Sequence, residues 1–193
     1  MEQNRLFPVF LKLEELHTVL VGGGNVGLEK LTALLKSSPD ARITIVAPLI
    51  SEAVRELAAS HPRVRLVPRK FRRTDLVGAD IVMLATDDPA LHARIRKETR
   101  KRGILINVAD TPDLCDFYLG SVVTKGNLRI GISTNGKSPT IARRIREFFE
   151  EALPDEADAL LTNMNRIRER IAGDFKEKVK TLSEITASWL EKK

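Results

Sequence analysis

The chain has 193 residues, 42% of them hydrophobic and 30% charged, with a formal net charge of +6. This is a soluble globular composition, long enough for one domain of about 100–150 residues and a smaller appendage. No apolar run approaches the roughly 20 residues that cross a bilayer, and the polar start Met1-Glu2-Gln3-Asn4-Arg5 argues against a secretory signal. The lone cysteine, Cys115, excludes an internal disulfide framework and suits a reducing compartment, so a cytoplasmic protein is expected. The positive balance has three candidate explanations: a nucleic-acid partner, a polyanionic small molecule, or surface solubility alone.

Residues 17–22 (His-Thr-Val-Leu-Val-Gly) predict a short buried strand that stops at glycines, followed by a helix from Val26 to Lys36 with Leu28, Leu31, Leu34 and Leu35 at helical spacing. Ser37-Ser38-Pro39-Asp40 ends that helix. Arg42–Ala47 is a second strand, a helix from Ser51 to Ala59 follows, and Val64–Val67 is a third strand. Asp80–Thr86 is a fourth strand, Pro89–Lys101 a helix and Ile104–Val108 a fifth strand. Strands alternating with helices of 10–15 residues imply βαβ units and a parallel sheet. The pattern then changes. Phe117–Val123 and Leu128–Ser133 predict two strands around a tight turn at Lys125-Gly126-Asn127, and helices follow over 139–150, 155–171 and 175–190. One face carries Leu160, Met164, Ile167 and Ile171, another Phe175, Val179, Leu182, Ile185 and Trp189; both stripes read as core or as a surface between two copies.

Gly22-Gly23-Gly24-Asn25-Val26-Gly27 matches G-x-G-x-x-G. Alone the match is weak. A strand immediately before it, a helix immediately after and a second strand about 20 residues on raise it to a dinucleotide-binding turn, the alternative being a glycine-rich turn without ligand. Gly22 allows the tight turn, Gly24 lets the backbone approach a pyrophosphate, and Gly27 lets the helix pack closely on the strand. The helix N-terminus offers N–H groups and partial positive charge to phosphate. No carboxylate ends the second strand, where Val46-Ala47-Pro48-Leu49-Ile50 stands in place of the usual ribose-binding acid, so NAD is not separated from NADP by this pattern.

Gly131 to Ser138 fits G-x-x-x-x-G-K-[ST], but Gly131 falls inside an expected strand, with only helices beyond it, so phosphate-loop hydrolysis is dismissed. A tyrosine–lysine dehydrogenase mechanism fails as well, because Tyr118 is followed four residues on by Val122.

Several short stretches together resemble the precorrin-2 dehydrogenase family, which includes part of multifunctional siroheme synthase and the bifunctional dehydrogenase/ferrochelatases. They are Phe7–Leu11, Val21–Val26, Ala85-Thr86-Asp87, Asn107-Val108-Ala109-Asp110, Cys115-Asp116-Phe117 and Ile132–Pro139 with Ala142-Arg143-Arg144. The resemblance implies a Rossmann-type parallel sheet over 1–112, a small α+β dimerisation and substrate-binding region over 113–150 and a C-terminal helical region over 151–193. It implies NAD-dependent oxidation of precorrin-2 to sirohydrochlorin on the way to siroheme, by a homodimer with a tetrapyrrole as partner, without nucleic acid or membrane.

By the same resemblance Asp110 is the proton acceptor. Gly22, Gly23, Gly24, Asn25, Val26, Pro48, Leu49, Ile50, Thr86 and Asp87 face the cofactor, and Ser133, Thr134, Asn135, Gly136, Lys137, Ser138 and Arg143 face the substrate. A polycarboxylate substrate also gives the basic balance a reason, and hydroxyls, N–H groups and Lys137 ahead of a helix opened by Pro139 make an anion receptor.

Other readings stand beside these. Asp110 also fits an N-cap or turn residue, the 133–138 loop a capped surface loop, and Asp88-Pro89 the start of a helix. Cys115 fits a small buried hydrophobe. His17, His61 and His92 form no metal-ligand cluster, so no metal site is expected. Iron insertion at the same site and a non-catalytic NAD-sensing module are the alternative functions.

Overall fold

The computed structural model describes residues 4–171 and 174–187. The chain divides into two compact units, Val9–Tyr118 and the residues from Leu119 onward together with the segment before Val9.

The first unit is a doubly wound α/β domain. Its elements are β1 (His17–Val21), α1 (Asn25–Ser37), β2 (Arg42–Val46), α2 (Glu52–Ala59), β3 (Val64–Val67), β4 (Ile81–Leu84), α3 (Pro89–Arg102) and β5 (Leu105–Val108). All pairings are parallel, in the order β3-β2-β1-β4-β5. Alternation along each strand sends side chains to opposite faces. Leu20, Ile45 and Met83 point to the face covered by Leu31, Leu34 and Leu35 of α1 and Val54 of α2. Val19, Val82, Leu84 and Ile106 point to the face covered by Ile95 of α3. β4 is buried throughout, as expected of a strand covered on both sides. Cutting Leu20 or Met83 to alanine costs about 2–5 kcal/mol in such a core.

The helix ends have local causes. Ser51 and Asp88 cap α2 and α3 by accepting from the N–H groups of Val54 and Leu91. Gly103 closes α3 at φ +68°, a left-handed turn free of cost only to glycine.

The second unit holds β6 (Ser121–Lys125), β7 (Leu128–Ile132), α4 (Pro139–Ala152), α5 (Ala157–Arg170) and α6 (Phe175–Thr186). β6 and β7 form an antiparallel hairpin in which Gly131 faces Val122. A phosphate loop therefore has no parallel strand to end here. The turn is fastened by α5 and the residues before it: Lys125 Nζ pairs with Asp155 at 2.5 Å, and Asp158 Oδ1 accepts from Asn127 N at 2.7 Å and Nδ2 at 2.8 Å. Leu160, Met164, Ile167 and Ile171 are half-buried. In the last stripe Val179 and Ile185 are exposed, whereas Trp189 and the Phe175 side chain lie outside the described residues.

One expected strand is displaced. Pairing begins at Ser121, not Phe117. Phe117 instead packs on the α1 face of the first unit's core, and its carbonyl accepts from the Asn107 amide at 2.9 Å, so its backbone is not available to a ladder.

Candidate functional site

Three turns leave the carboxyl edge of the sheet in one row. Gly22 N bonds to Val46 O at 3.1 Å, Ala85 N to Val21 O at 2.8 Å and Ala109 N to Leu84 O at 3.0 Å, which aligns the residues following β1, β4 and β5. Strands lie about 4.8 Å apart, so the Asp110 turn stands about 10 Å from the glycine turn, with Ala85-Thr86 between them. The strand order reverses between β1 and β4, the switch point at which open parallel sheets take up ligands.

The glycines differ in what they do. A Cβ on Gly22, which has φ +123°, would collide with the Ala85 carbonyl, and one on Gly23 would come within 2.7 Å of the Leu49 carbonyl. Gly27 lies so close under the turn that its Cβ would meet the Gly22 carbonyl at 2.5 Å. Packing alone demands these three. Gly24 has φ −91° and its missing Cβ would meet nothing within 4 Å.

The space in front of Gly24 is the bare mouth of α1. No side chain caps that helix and no acidic residue sits in its first turn. Leu28 is the first residue whose N–H finds a helical acceptor, Gly24 O at 2.9 Å. The N–H groups before it therefore point outward with the positive end of the helix dipole, a ready receptor for phosphate. Asn25 and Val26 are exposed beside it, as are Pro48 and Leu49, the latter 85% exposed at the end of β2, while Ile50 is buried. Ser51 N donates to Gly23 O at 2.9 Å and ties the β2 turn to the glycine turn. These residues fit a dinucleotide: a glycine cradle, an open helix mouth and an apolar ledge where an adenosine would rest.

Thr86 follows β4 and its hydroxyl lies 2.8 Å from Nε2 of His92, a buried residue on the first turn of α3. Asp87 is exposed, and Asp88 is committed to capping α3. His92, read from sequence as merely isolated, thus fixes a residue of the edge. Its signal was the capped helix start, which carries the fourth helical residue back over the strand end.

Asp110 is exposed and adopts φ +55°. Its carboxylate has no hydrogen bond or ion pair among the described residues. The short 3-10 turn Pro112–Leu114 has Thr111, not Asp110, at its N-cap position, which removes the helix-cap reading and leaves Asp110 as a turn residue. Cys115 is half-buried and hydrogen-bonded, with Sγ 3.2 Å from the Val108 N–H. It packs against the core on the α3 side as a small hydrophobe and also fastens backbone.

In the second unit the 133–138 loop spends its hydroxyls on itself. Thr134 Oγ1 donates to Ser138 O at 3.2 Å and accepts from Ser138 N at 3.3 Å, Ser133 Oγ accepts from Asn135 N at 3.2 Å, and Ser138 Oγ caps α4 through Ile141 N at 3.2 Å. Asn135 and Gly136 both have positive φ, +54° and +74°. The side chains turned outward are Lys137, which is exposed, and Arg143, which pairs loosely with Glu147 at 3.7 Å. Among the described residues no group of three His, Cys, Asp or Glu is placed to hold a metal ion, and no helix is long and apolar enough to cross a membrane.

Comparison with known proteins agrees with this architecture. Residues 9–121 match the family model described as "Putative NAD(P)-binding", and residues 125–152 match "Sirohaem biosynthesis protein central". The chain is 35% identical over 173 residues to the siroheme synthase of Methylococcus capsulatus, covering 90% of this chain and 34% of the relative. It is 36% identical over 183 residues to that of Psychrobacter cryohalolentis, covering 95% and 34%. It thus spans about a third of the length of the curated relatives it matches. The solved structure of SirC, precorrin-2 dehydrogenase, shares its fold with a TM-score of 0.76 at 24% identity, covering 96% of this chain and 91% of that one. A glycine-turn sheet followed by the siroheme-type hairpin and helix places the chain in the siroheme synthase-like NAD(P)-binding family.

Proposed function

We propose that the chain is an NAD-dependent dehydrogenase that oxidises precorrin-2 to sirohydrochlorin in siroheme biosynthesis. One observation carries the reading: Asp110, whose carboxylate has no partner among the described residues, stands two strands from the glycine turn on the same sheet edge. When bound, NAD supplies the hydride acceptor. Oxidation then removes one hydride and one proton from the macrocycle. The proton passes to a carboxylate oxygen of Asp110, a base with no competing partner among the described residues. Gly22, Gly23, Gly24, Asn25 and Val26 hold the pyrophosphate end, with Pro48, Leu49 and Ile50 beside the adenosine and Thr86 and Asp87 between cofactor and acid. Lys137 and Arg143, with the backbone of the 133–138 loop, bind substrate carboxylates. The names carried by the curated relatives and by the structural neighbour support this chemistry.

Absorbance of NADH on mixing precorrin-2, NAD and the full chain tests it. Formation of NADH at a rate that depends on precorrin-2 is expected. No NADH above background overturns the reading and favours a non-catalytic NAD sensor. Ferrous-iron-dependent loss of sirohydrochlorin would add chelation, for which the same Asp110 carboxylate is the available acceptor of pyrrole protons.

Pairing of two copies belongs to the same reading. Ile141, Ile145 and Phe148 form an exposed apolar stripe at helical spacing on α4. Sedimentation should give a dimer at micromolar concentration, and a monomer would refute it.

A further inference from the structure

After Asp110 the chain turns back beside β5, and Asp116 is the residue that fastens the return at both polar groups of one strand residue. Asp116 N donates to Ile106 O at 2.8 Å, and Asp116 Oδ2 accepts from Ile106 N at 3.1 Å, so one residue bonds both polar groups of its neighbour on the strand. The same Oδ2 receives Arg96 Nη1 of α3 at 2.6 Å. The guanidinium holds the Asp116 carboxyl below its usual range, aided by the Ile106 N–H. Within this closure Cys115 Sγ accepts from Val108 N at 3.2 Å and lies 3.3 Å and 3.4 Å from the carbonyls of Val108 and Thr111, available to its S–H. Asn107 Nδ2 donates to Phe117 O at 2.9 Å. Residues 106–108 are thereby tied to residues 115–117, and the short loop carrying Asp110 is closed at its base.

We propose that Asp116 is a positioning residue for Asp110, acting through Ile106 and Arg96 to hold the loop that aims the acid. The inference rests on the reading of Asp110 as proton acceptor. Asp110 needs such support. Its left-handed backbone, φ +55°, is disfavoured in a residue bearing a Cβ, and its side chain has no partner to orient it among the described residues. The fastening at the loop's base opposes relaxation, together with the loop's own short bonds, Thr111 Oγ1 to Ala109 O at 3.2 Å and Leu114 N to Thr111 O at 3.1 Å. A shift of the acid by about 1 Å lowers turnover by about 100-fold while leaving the glycine turn, three strands' width of backbone bonds away from the clasp, intact.

The test uses Asp116→Asn, which can still accept from Ile106 but loses the ion pair, and Asp116→Ala, which loses both, each in the full chain. Cys115 is the single cysteine, so its rate of modification by N-ethylmaleimide reports opening of the clasp without any reference to catalysis. Expected are at least tenfold faster labelling in Asp116→Ala, a fall in kcat of about 10- to 100-fold with KM for NAD unchanged, and smaller changes of both kinds in Asp116→Asn. In an Asp110→Ala background Asp116→Ala should lower kcat no further, because it acts through that carboxylate. Unchanged labelling in Asp116→Ala overturns the clasp. Faster labelling with full turnover, or additive losses in the double variant, overturns the positioning role. A wild-type chain inert toward precorrin-2 refutes the reaction instead, and is recognised as such because the labelling still decides the clasp.

Discussion

The Ala85 carbonyl occupies the space that a side chain on Gly22 would need, whereas nothing occupies the space beside Gly24. Two glycines of one motif therefore answer to different demands. Gly22→Ala should destabilise the chain by about 3 kcal/mol, from a backbone clash combined with a strained positive φ. Gly24→Asp should fold with an unchanged melting temperature and bind no measurable NAD, because a carboxylate then stands at the α1 mouth. Thermal melts and cofactor titration of the two variants check the pair. Normal binding by Gly24→Asp would remove the pyrophosphate from this turn.

Asp110 carries opposite demands for stability and chemistry. Asp110→Ala should keep NAD affinity and lose turnover by about 10²- to 10⁴-fold. Asp110→Gly should lose as much activity yet be more stable than Asp110→Ala by about 1 kcal/mol, since only glycine adopts φ +55° without cost. Urea titrations and NADH formation measured on both variants separate the two effects. Equal stabilities would show that the turn stores no strain.

Lys137 should act on substrate and not on cofactor. With the loop hydroxyls engaged internally, its exposed ammonium is the main charge offered by the 133–138 segment. Lys137→Ala is expected to raise KM for precorrin-2 about tenfold, the worth of one charge-assisted contact, with KM for NAD unchanged. Steady-state kinetics with each substrate varied checks it. An effect confined to NAD would move the loop to the cofactor side.

Acid sensitivity has an assignable source in the first unit. Arg69 grips Asp75 with two bonds, 2.6 Å and 2.8 Å, and this holds the Asp75 carboxyl below its usual range. The folded pKa is lower than the unfolded value of about 3.9, so the stabilisation is complete above that value and is lost as pH falls through the folded pKa. Urea midpoints should therefore drop below about pH 4, and the drop should be smaller in Asp75→Asn. An identical pH dependence in the variant would show that the pair contributes nothing to acid stability.

The parallel sheet was legible because its signals are local. The run Ile81–Leu84 has no polar position, the glycines follow β1 directly, and Gly103 stops α3 where the sequence allows a left-handed turn. The row formed by Gly22, Ala85 and Ala109 follows once the strand order is known. What escaped was fixed by side-chain hydrogen bonds at spacings that belong to no repeating pattern. Nothing periodic marks Asn107 reaching Phe117, so an apolar run from Phe117 read as a strand while its first residue serves the neighbouring core. Arg96 and Asp116 are 20 residues apart and Thr86 and His92 are 6 apart. Neither spacing belongs to a helix or strand pattern, so both pairs were invisible before folding.

The two aspartates that fasten the β6–β7 turn lie beyond Ala152, the last residue matched by the siroheme-type central model. A shortened chain ending at that residue would leave the Lys125 ammonium and the Asn127 amide without their acceptors and would strip the cover from Gly126, whose Cβ position abuts Asp158. Trimming for recombinant work should therefore stop no earlier than the first turn of α5, because the similarity boundary cuts through a hydrogen-bonded unit.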